Sequence, residues 1–464
     1  MQKAIPMSKP KPNKNPGNAR KVAYQALLRI ELDKAYPGLV LDRLLSKTEL
    51  SNKDKRLVTE LVYGTVRRQG TLDWIIAQFA KKQTKSISIK LKLVLRLGIY
   101  QLIYLTKIPA FAATHEMVKL AKQSGLSRYA GFVNAILRRV GEYRDQIKYP
   151  EKSEGLVEYL AVRYSHPKWI VQLILNRFGE KDTEQLLDLN NQPASVVLRV
   201  SRLKSSVDAV EHILLDKKIQ VTRSEFAPEG IVINQSEGSV RELPGYQEGW
   251  FTVQDTASML VSHLVNPQPG QTVIDLCAAP GGKATHLAEL MQNQGKLIAI
   301  DQHPGKANLI SQTATRLGIS NIQVLVSDGT KIAEQISEPV DAVLLDAPCS
   351  GLGVLRRKVD LRWRKKLEAI AELVKLQQQL LESAYRILKP GGILVYSTCT
   401  LTEEEDEQQI TRFLASHPDM QLEHAVDYLP DSAKSMATES GYYFALPQKH
   451  GTDGIFAARM VKKK

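Results

Sequence analysis

From Lys21 to about Val140, apolar residues recur every three or four positions: Ala23, Ala26, Leu27 and Ile30; Leu57, Val58, Leu61 and Val62; Leu72, Ile75, Ile76 and Phe79; Val133, Ile136, Leu137 and Val140. That spacing gives each helix one apolar stripe, so the region is predicted to be an all-α domain of several short helices, punctuated at Pro109 and Gly125. Basic residues fall between the stripes (Arg67 with Arg68, Lys81 with Lys82, Arg138 with Arg139) and are expected on the polar faces. After a break at Tyr149-Pro-Glu-Lys-Ser-Glu-Gly155, residues 156–190 return to helical spacing, with Trp169, Ile170, Leu173 and Ile174 on one face. Residues 195–200 read as a strand, 207–215 as a helix, and 219–222 and 231–233 as short strands. Together they predict a small α+β module with βαβ-like order.

The pattern changes near residue 249. Apolar runs at 272–276, 296–300, 322–326, 340–345 and 392–396 alternate with helical stretches, the clearest at 361–388. Near-continuous apolar strands separated by helices predict a parallel sheet covered on both faces, a Rossmann-like α/β domain. The expected domains are a basic disordered arm over 1–19, a helical domain over 20–148, linker helices and the small module over 149–248, and the α/β domain over 249–464.

Charge adds a partner class. The chain has 464 residues and a formal net charge of +14. Residues 1–150 hold 29 Lys and Arg against 10 Asp and Glu, a net +19, and the remainder carries −5. So lopsided a distribution points to a polyanion, with nucleic acid preferred over a basic face kept for solubility. No apolar run approaches the roughly 20 residues that span a bilayer, so an integral membrane protein is not expected. The first 20 residues are basic but lack the apolar core of a secretory signal. Three cysteines cannot build a disulfide framework, which favours a reducing compartment, the cytoplasm. No Cys/His spacing matches a metal site, so none is expected.

Ligands of doubly wound sheets lie beyond the carboxyl ends of the strands, and the unusual residues fall there. The first strand runs into Asp275-Leu-Cys-Ala-Ala-Pro-Gly-Gly-Lys283, followed by a helix over 285–291. A P-loop fails because Cys277 and Ala284 occupy its glycine and hydroxyl positions, and no dinucleotide fingerprint is present. S-adenosylmethionine, which needs a tight glycine turn and no pyrophosphate cradle, is the third candidate. Asp301 ends the second strand, where an acid suits a ribose diol, and Asp328 follows the third, within reach of an adenine amine. Either acid alone would pass for a helix cap.

The fourth and fifth strands end in Asp346-Ala-Pro-Cys349-Ser-Gly and Ser-Thr-Cys399-Thr, bringing an acid and two cysteines to one rim. A buried cysteine is more often a small hydrophobe, and Cys277 is read that way. Two at a rim suit carbon methylation. Cytosine C5 is a poor nucleophile until a thiolate adds at C6. That thiolate needs a nearby positive charge or helix N-terminus, and Thr402-Glu-Glu-Glu405 is predicted to open such a helix. Asp346 could donate to or orient N3, held by Lys283. An amine-directed enzyme would show Pro-Pro-aromatic in place of Asp-Ala-Pro-Cys.

With these motifs assembled, the chain resembles the Nol1/Nop2/Sun family of RNA cytosine-5 methyltransferases over nearly its whole length. Residues 20–141, with Arg20-Lys-Val-Ala-Tyr-Gln-Ala26 and Val133-Asn-Ala-Ile-Leu-Arg-Arg139, resemble the NusB fold. Residues 160–245 are similar to the family's small RNA-recognition-like insert. The resemblance implies a class I methyltransferase domain that places a methyl group on C5 of one cytosine in 16S ribosomal RNA, cytosine 967 in the family. It implies Cys399 as nucleophile and Cys349 as an aid to product release, where the residues alone leave the two open. It also implies S-adenosylmethionine bound by Cys277, Ala278, Ala279, Pro280, Gly281, Gly282, Lys283, Asp301, Asp328 and Asp346. Ala284 departs from the threonine of many relatives and removes one hydroxyl contact. Transfer RNA as substrate, or RNA binding without catalysis, are the alternatives. A monomer acting on 16S ribosomal RNA, naked or partly assembled, is expected.

Overall fold

The structure, a computed structural model, describes residues 18–80, 87–235 and 239–464. Most of the basic arm and the pair Lys81 and Lys82 lie outside the described residues. The chain forms two compact units, Met1–His166 and Pro167–Lys464.

Among the described residues, the regular elements of the first unit are all helices. Its helices are Ala19–Leu32, Pro37–Leu45, Asn52–Arg67, Gln69–Ala80, Ile89–Tyr104, Ala110–Gln123, Ala130–Glu142 and Leu156–Tyr164. Asn18, Ser51 and Ser88 cap three of them, each side chain accepting from a backbone N–H of the first turn. Ile89–Tyr104 is buried on nearly every side from Leu91 to Leu102 and forms the centre on which the other helices pack. Gly64 permits one of those contacts, since a Cβ there would lie 2.0 Å from the Tyr100 ring. The apolar stripes read from the sequence are the buried faces.

Arg67 corrects one expectation. It is buried rather than on a polar face, because the whole last turn of its helix, Gly64 to Arg67, is enclosed. Tyr100 and Glu60 lie beside it, and burial pulls its guanidinium below the usual value. Arg96 is also buried and holds Asp73 through two bonds of 2.7 Å. Arg138 and Arg139 are exposed as expected.

The second unit begins with the helical stretch Lys168–Leu189, broken at Gly179, where φ is 74°. A small sheet follows, built of β1 (Val196–Val200), β2 (Gln220–Arg223), β3 (Gly230–Gln235) and β4 (Phe251–Val253) in the order β2-β3-β1-β4. β1 is antiparallel to both β3 and β4, and β2 is antiparallel to β3. The β1–helix–β2 crossover predicted from sequence is therefore split by β3. The helix Val207–Asp216 packs against this sheet. β4 lies past residue 248 in the chain, yet it pairs with β1.

The large sheet contains β5 (Thr272–Asp275), β6 (Lys296–Asp301), β7 (Ile322–Val326), β8 (Val340–Asp346), β9 (Leu388–Thr398), β10 (Met420–Glu423), β11 (Tyr443–Ala445) and β12 (Ile455–Lys462). Its order is β7-β6-β5-β8-β9-β12-β10, with β11 beside β12. β5 to β9 are parallel, and β12 is antiparallel to β9. Two apolar clusters cover the faces, one around Leu260, Leu287 and Ile310, the other around Ile300, Leu380 and Phe413.

The helix predicted over 361–388 is two helices, Leu361–Arg364 and Ala369–Arg386. Lys365 is extended between them. Arg362 fixes the first piece: it is fully buried and donates to Asn191 Oδ1 and to the Asn190 and Leu355 carbonyls. Among the described residues, no helix is long and apolar enough to cross a membrane.

Candidate active site

The strand order turns residues scattered over 125 positions into a line. Parallel strands share one carboxyl edge, and neighbours stand about 4.8 Å apart. Reading β7-β6-β5-β8-β9, that edge presents Asp328, Asp301, Asp275, Asp346 and Cys399 in sequence. The order changes direction between β5 and β8, where ligands of such sheets bind.

After β5 the chain is tied to both neighbouring strands: the Leu276 N–H donates to the Leu344 carbonyl and the Ala278 N–H to that of Ile300. The loop then turns through a cis Ala279–Pro280 bond and Gly281 into the helix Gly282–Leu290, which starts three residues before its predicted position. Gly281 has φ 101°, and a Cβ there would press on Ile310 Cα at 3.1 Å, so both the turn and the packing require glycine. Ala278 is buried, while Cys277, Ala279 and Pro280 are partly or fully open. Cys277 also packs against the cluster of Ile300 and Leu380, and burial pushes its thiol upward.

Asp275 is completely buried, and neither carboxyl oxygen has a hydrogen-bond partner among the described residues. Burial, reinforced by the charge of Asp346, pushes it up to about 8. Asp301 and Asp328 each spend one oxygen on their own loop. Asp301 accepts from the His303 N–H at 2.9 Å, and Asp328 from the Thr330 N–H and hydroxyl at 3.0 and 2.8 Å.

On the other side of the switch, Asp346 is gripped at both oxygens, by Lys283 Nζ at 2.7 Å and by the Ser397 hydroxyl at 2.8 Å. Burial opposes the charge on Lys283, but Asp346 outweighs it and holds the ammonium above its ordinary value. Cys349 and Cys399, both partly exposed, stand with sulfurs 3.3 Å apart, and the Cys399 N–H points at Cys349 Sγ at 3.3 Å. The hydrogen bond from Cys349 pulls the Cys399 thiol down, aided by Lys358 and Lys283. The same bond, with burial, pushes Cys349 up.

Thr402 to Glu405 do not open a helix; Glu403 to Asp406 form a turn, and the helix starts at Glu407. Glu405 is turned inward and fully buried, binding the two cysteine loops together. It accepts from the Ser350 N–H at 2.8 Å and from the Thr402 and Thr400 hydroxyls at 2.9 and 3.3 Å. Gln377 Nε2 joins Glu405 to the Pro348 carbonyl, at 3.0 Å each. Next to it, Asp406 accepts from Thr398 at 2.6 Å and pairs with Arg177 at 3.3 Å. Sequence reasoning passed over Glu405 because its composition fits a helix start.

It also passed over Arg199. This residue sits on β1, fully buried, and donates to the Gly282 carbonyl at 2.6 Å, to Thr285 and Glu289 at 3.0 Å each, and to Gln254. The small sheet thereby fixes the start of the helix after the glycine turn. A lone arginine in an apolar strand was the available signal. Beside it, Glu229 Oε1 lies 3.0 Å from His263 Nε2 and 3.2 Å from His286 Nε2. These three ligand-type groups gather within 4.8 Å from distant parts of the chain, which spacing rules could not reveal.

A pH prediction follows from Asp275. Between its ordinary value of 3.8 and about 8, the folded chain keeps a proton that the unfolded chain releases. Stability therefore falls as pH rises through that window, by up to roughly 1.4 kcal/mol per pH unit, and levels off above it. The variant Asp275→Asn should show a flatter melting-temperature profile by scanning fluorimetry between about pH 4 and pH 8. Equal slopes in the two proteins would contradict the burial argument.

A sheet of this order, with a glycine turn after β5 and acids at successive strand ends, defines a methyltransferase fold. The crystal structure of PH0851 superposes with a TM-score of 0.80 at 29% identity, covering 96% of this chain and 98% of that one. A methyltransferase homologue from Pyrococcus horikoshii does so with a TM-score of 0.57 at 29% identity, covering 66% and 99%. Residues 262–461 match the model of the 16S rRNA methyltransferase RsmB/F family, residues 17–142 the NusB family, and residues 166–241 the RsmF/B-like ferredoxin-like domain. The probable ribosomal RNA small subunit methyltransferase B of Synechocystis sp. is 40% identical over 446 residues, covering 96% of this chain and 99% of that one. The protein of that description from Bacillus subtilis is 36% identical over 448 residues, covering 96% and 99%. The chain belongs to the 16S rRNA methyltransferase RsmB/F family.

Proposed function

We propose that this protein methylates C5 of a cytosine in 16S ribosomal RNA, with Cys399 as covalent nucleophile and S-adenosylmethionine as methyl donor. The observation that carries this is the pair of thiols 3.3 Å apart, next to a carboxylate fixed by Lys283 and Ser397.

The cofactor fits the rim on charge. Asp301, Asp328 and Asp346 at successive strand ends would repel a pyrophosphate and attract a cationic sulfonium. The orphaned carboxyl of Asp275 and the side-chain-free turn at Gly281 fit a small polar ligand held close to the backbone. Residues 277–283, with Asp346, would hold its amino-acid part and sulfonium, Asp301 its ribose and Asp328 its adenine. When bound, it supplies an electrophilic methyl group.

The chain's own residues prepare the pyrimidine. The Cys399 sulfur adds to C6, which makes C5 electron-rich. Lys283 donates to Asp346 at 2.7 Å, which fixes that carboxyl group to orient N3 or lend it a proton as its electron density rises. Cys349 donates to Cys399 before the attack, which favours the thiolate at position 399. After the methyl group has landed, the C5 proton passes to solvent as the C6–S bond breaks, and Cys349 gives its proton to the departing sulfur and regains one from solvent. The net +19 of the first 150 residues supports RNA as partner.

The test is transfer of tritium from methyl-labelled cofactor to unmodified 16S ribosomal RNA, followed by digestion to nucleosides. Label should be recovered as 5-methylcytidine. Label in another nucleoside, preference for transfer RNA, or no transfer by a cofactor-binding protein would each overturn the proposal.

A further inference from the structure

We propose that Cys349 and Cys399 form a site of reversible oxidative modification, closing into a disulfide across the β8–β9 rim. Its effect on activity, though not its formation, rests on the function proposed above.

The geometry is prepared for the bond. The two cysteines follow adjacent parallel strands, Cys349 three residues past the end of β8 and Cys399 directly after β9. Their sulfurs are 3.3 Å apart, so bonding at about 2.05 Å needs a closure of little more than 1 Å. The backbone on each side is already tied. Ser350 and Thr400, the residues following each cysteine, join hydroxyls at 2.5 Å, and both bind Glu405. The Gly353 N–H donates to the Cys399 carbonyl at 2.9 Å. Both residues are partly exposed, which gives a small oxidant a way in.

The two thiols are also unequal, as a reactive and a resolving cysteine must be. Lys358 and Lys283 favour the anion at Cys399, while Cys349 keeps its proton and donates. With hydrogen peroxide as oxidant, the Cys399 thiolate attacks one oxygen, giving a sulfenic acid and hydroxide. Cys349 then attacks the Cys399 sulfur; its own proton and the departing hydroxyl leave as water. Two electrons pass from the sulfur pair to the peroxide. A dithiol reverses the step by exchange and ends as its own disulfide. The product sequesters both sulfurs of the rim and touches none of the residues assigned to the cofactor except through their shared fold. Cys277, whose thiol burial pushes upward at the end of another strand, is an internal control.

The experiment treats the full-length protein with a small excess of hydrogen peroxide, alkylates the remaining thiols, and maps tryptic peptides without reduction. The expected product is one cross-linked peptide pair, Cys349 with Cys399, two hydrogens lighter than the thiols, with Cys277 still alkylated. Methyl transfer should be lost, and dithiothreitol should restore both thiols and activity. In Cys349→Ser, peroxide should instead carry Cys399 on to sulfinic acid, which dithiothreitol does not reverse. Recovery of Cys349 and Cys399 in the wild-type protein as separate alkylated or over-oxidised peptides would overturn the proposal. A disulfide that leaves methyl transfer intact would support it and overturn Cys399 as nucleophile. Loss of transfer in Cys399→Ala without any cross-link in the wild type would do the reverse.

Discussion

Replacing Cys399 by alanine should abolish methyl transfer while cofactor binding survives. The sulfur sits just past the end of β9, beyond Asp346 in the line of strand ends and on the opposite side of β5 from Asp301 and Asp328. The turn that would hold the cofactor follows β5, anchored by backbone bonds to β6 and β8. Removing one sulfur from β9 leaves that anchoring intact. It does remove the thiol proposed to activate C5, so the rate should fall roughly a thousandfold or more, the scale seen when a covalent nucleophile is deleted. Cofactor affinity measured by calorimetry should stay within about threefold, which corresponds to less than 1 kcal/mol. Full activity in this variant would move the nucleophile elsewhere. Lost activity with equally lost cofactor binding would mean only that the rim had collapsed.

What the sequence made legible follows from which physical rules act locally. The parallel sheet could be read because apolar runs of strand length alternate with helices, and the rule that ligands collect at carboxyl ends pointed at once to Asp275, Asp301, Asp328, Asp346 and Cys399. Their lateral order along the rim needed the strand order, which is a tertiary fact. The helical unit could be read from its stripes, and Arg67 was misplaced because a stripe does not show when a helix end is enclosed on all sides. Thr402-Glu-Glu-Glu405 has the composition of a helix start. Its third glutamate is instead drawn inward, because the Ser350 N–H and three side chains need an acceptor there. The break after Arg364 has the same kind of cause: helical propensity runs on, but Arg362 is held by groups 171 and 172 residues away. Arg199 and the Glu229–His263–His286 group share this origin. Each joins the small sheet to the helices beside it, and such pairings leave no periodicity to detect.

Replacing Cys349 by alanine should produce the opposite chemical signature: a covalent protein–RNA species that accumulates and survives denaturation. Cys349 Sγ lies 3.3 Å from Cys399 Sγ, and their hydrogen bond together with burial pushes its thiol up, toward the protonated form. Alanine removes the donor from one face of Cys399. Attack at C6 remains possible, because Lys283 and Lys358 still favour the anion. Departure of Cys399 does not fare as well, since the expelled sulfur leaves as a thiolate with no proton donor at 3.3 Å to receive it. The slow step therefore shifts from forming the adduct to breaking it. Incubated with cofactor and unmodified substrate RNA, the variant should give a shifted band in a denaturing gel, absent from Cys399→Ala and from the double variant. Glu405 should make the effect clean, because it holds the backbone on both sides of the pair through Ser350 and Thr400 rather than through either sulfur. If Cys349→Ala yields no such band while Cys399→Ala does, the two sulfurs exchange roles: the thiol after β8 is then the nucleophile, and the one after β9 serves release.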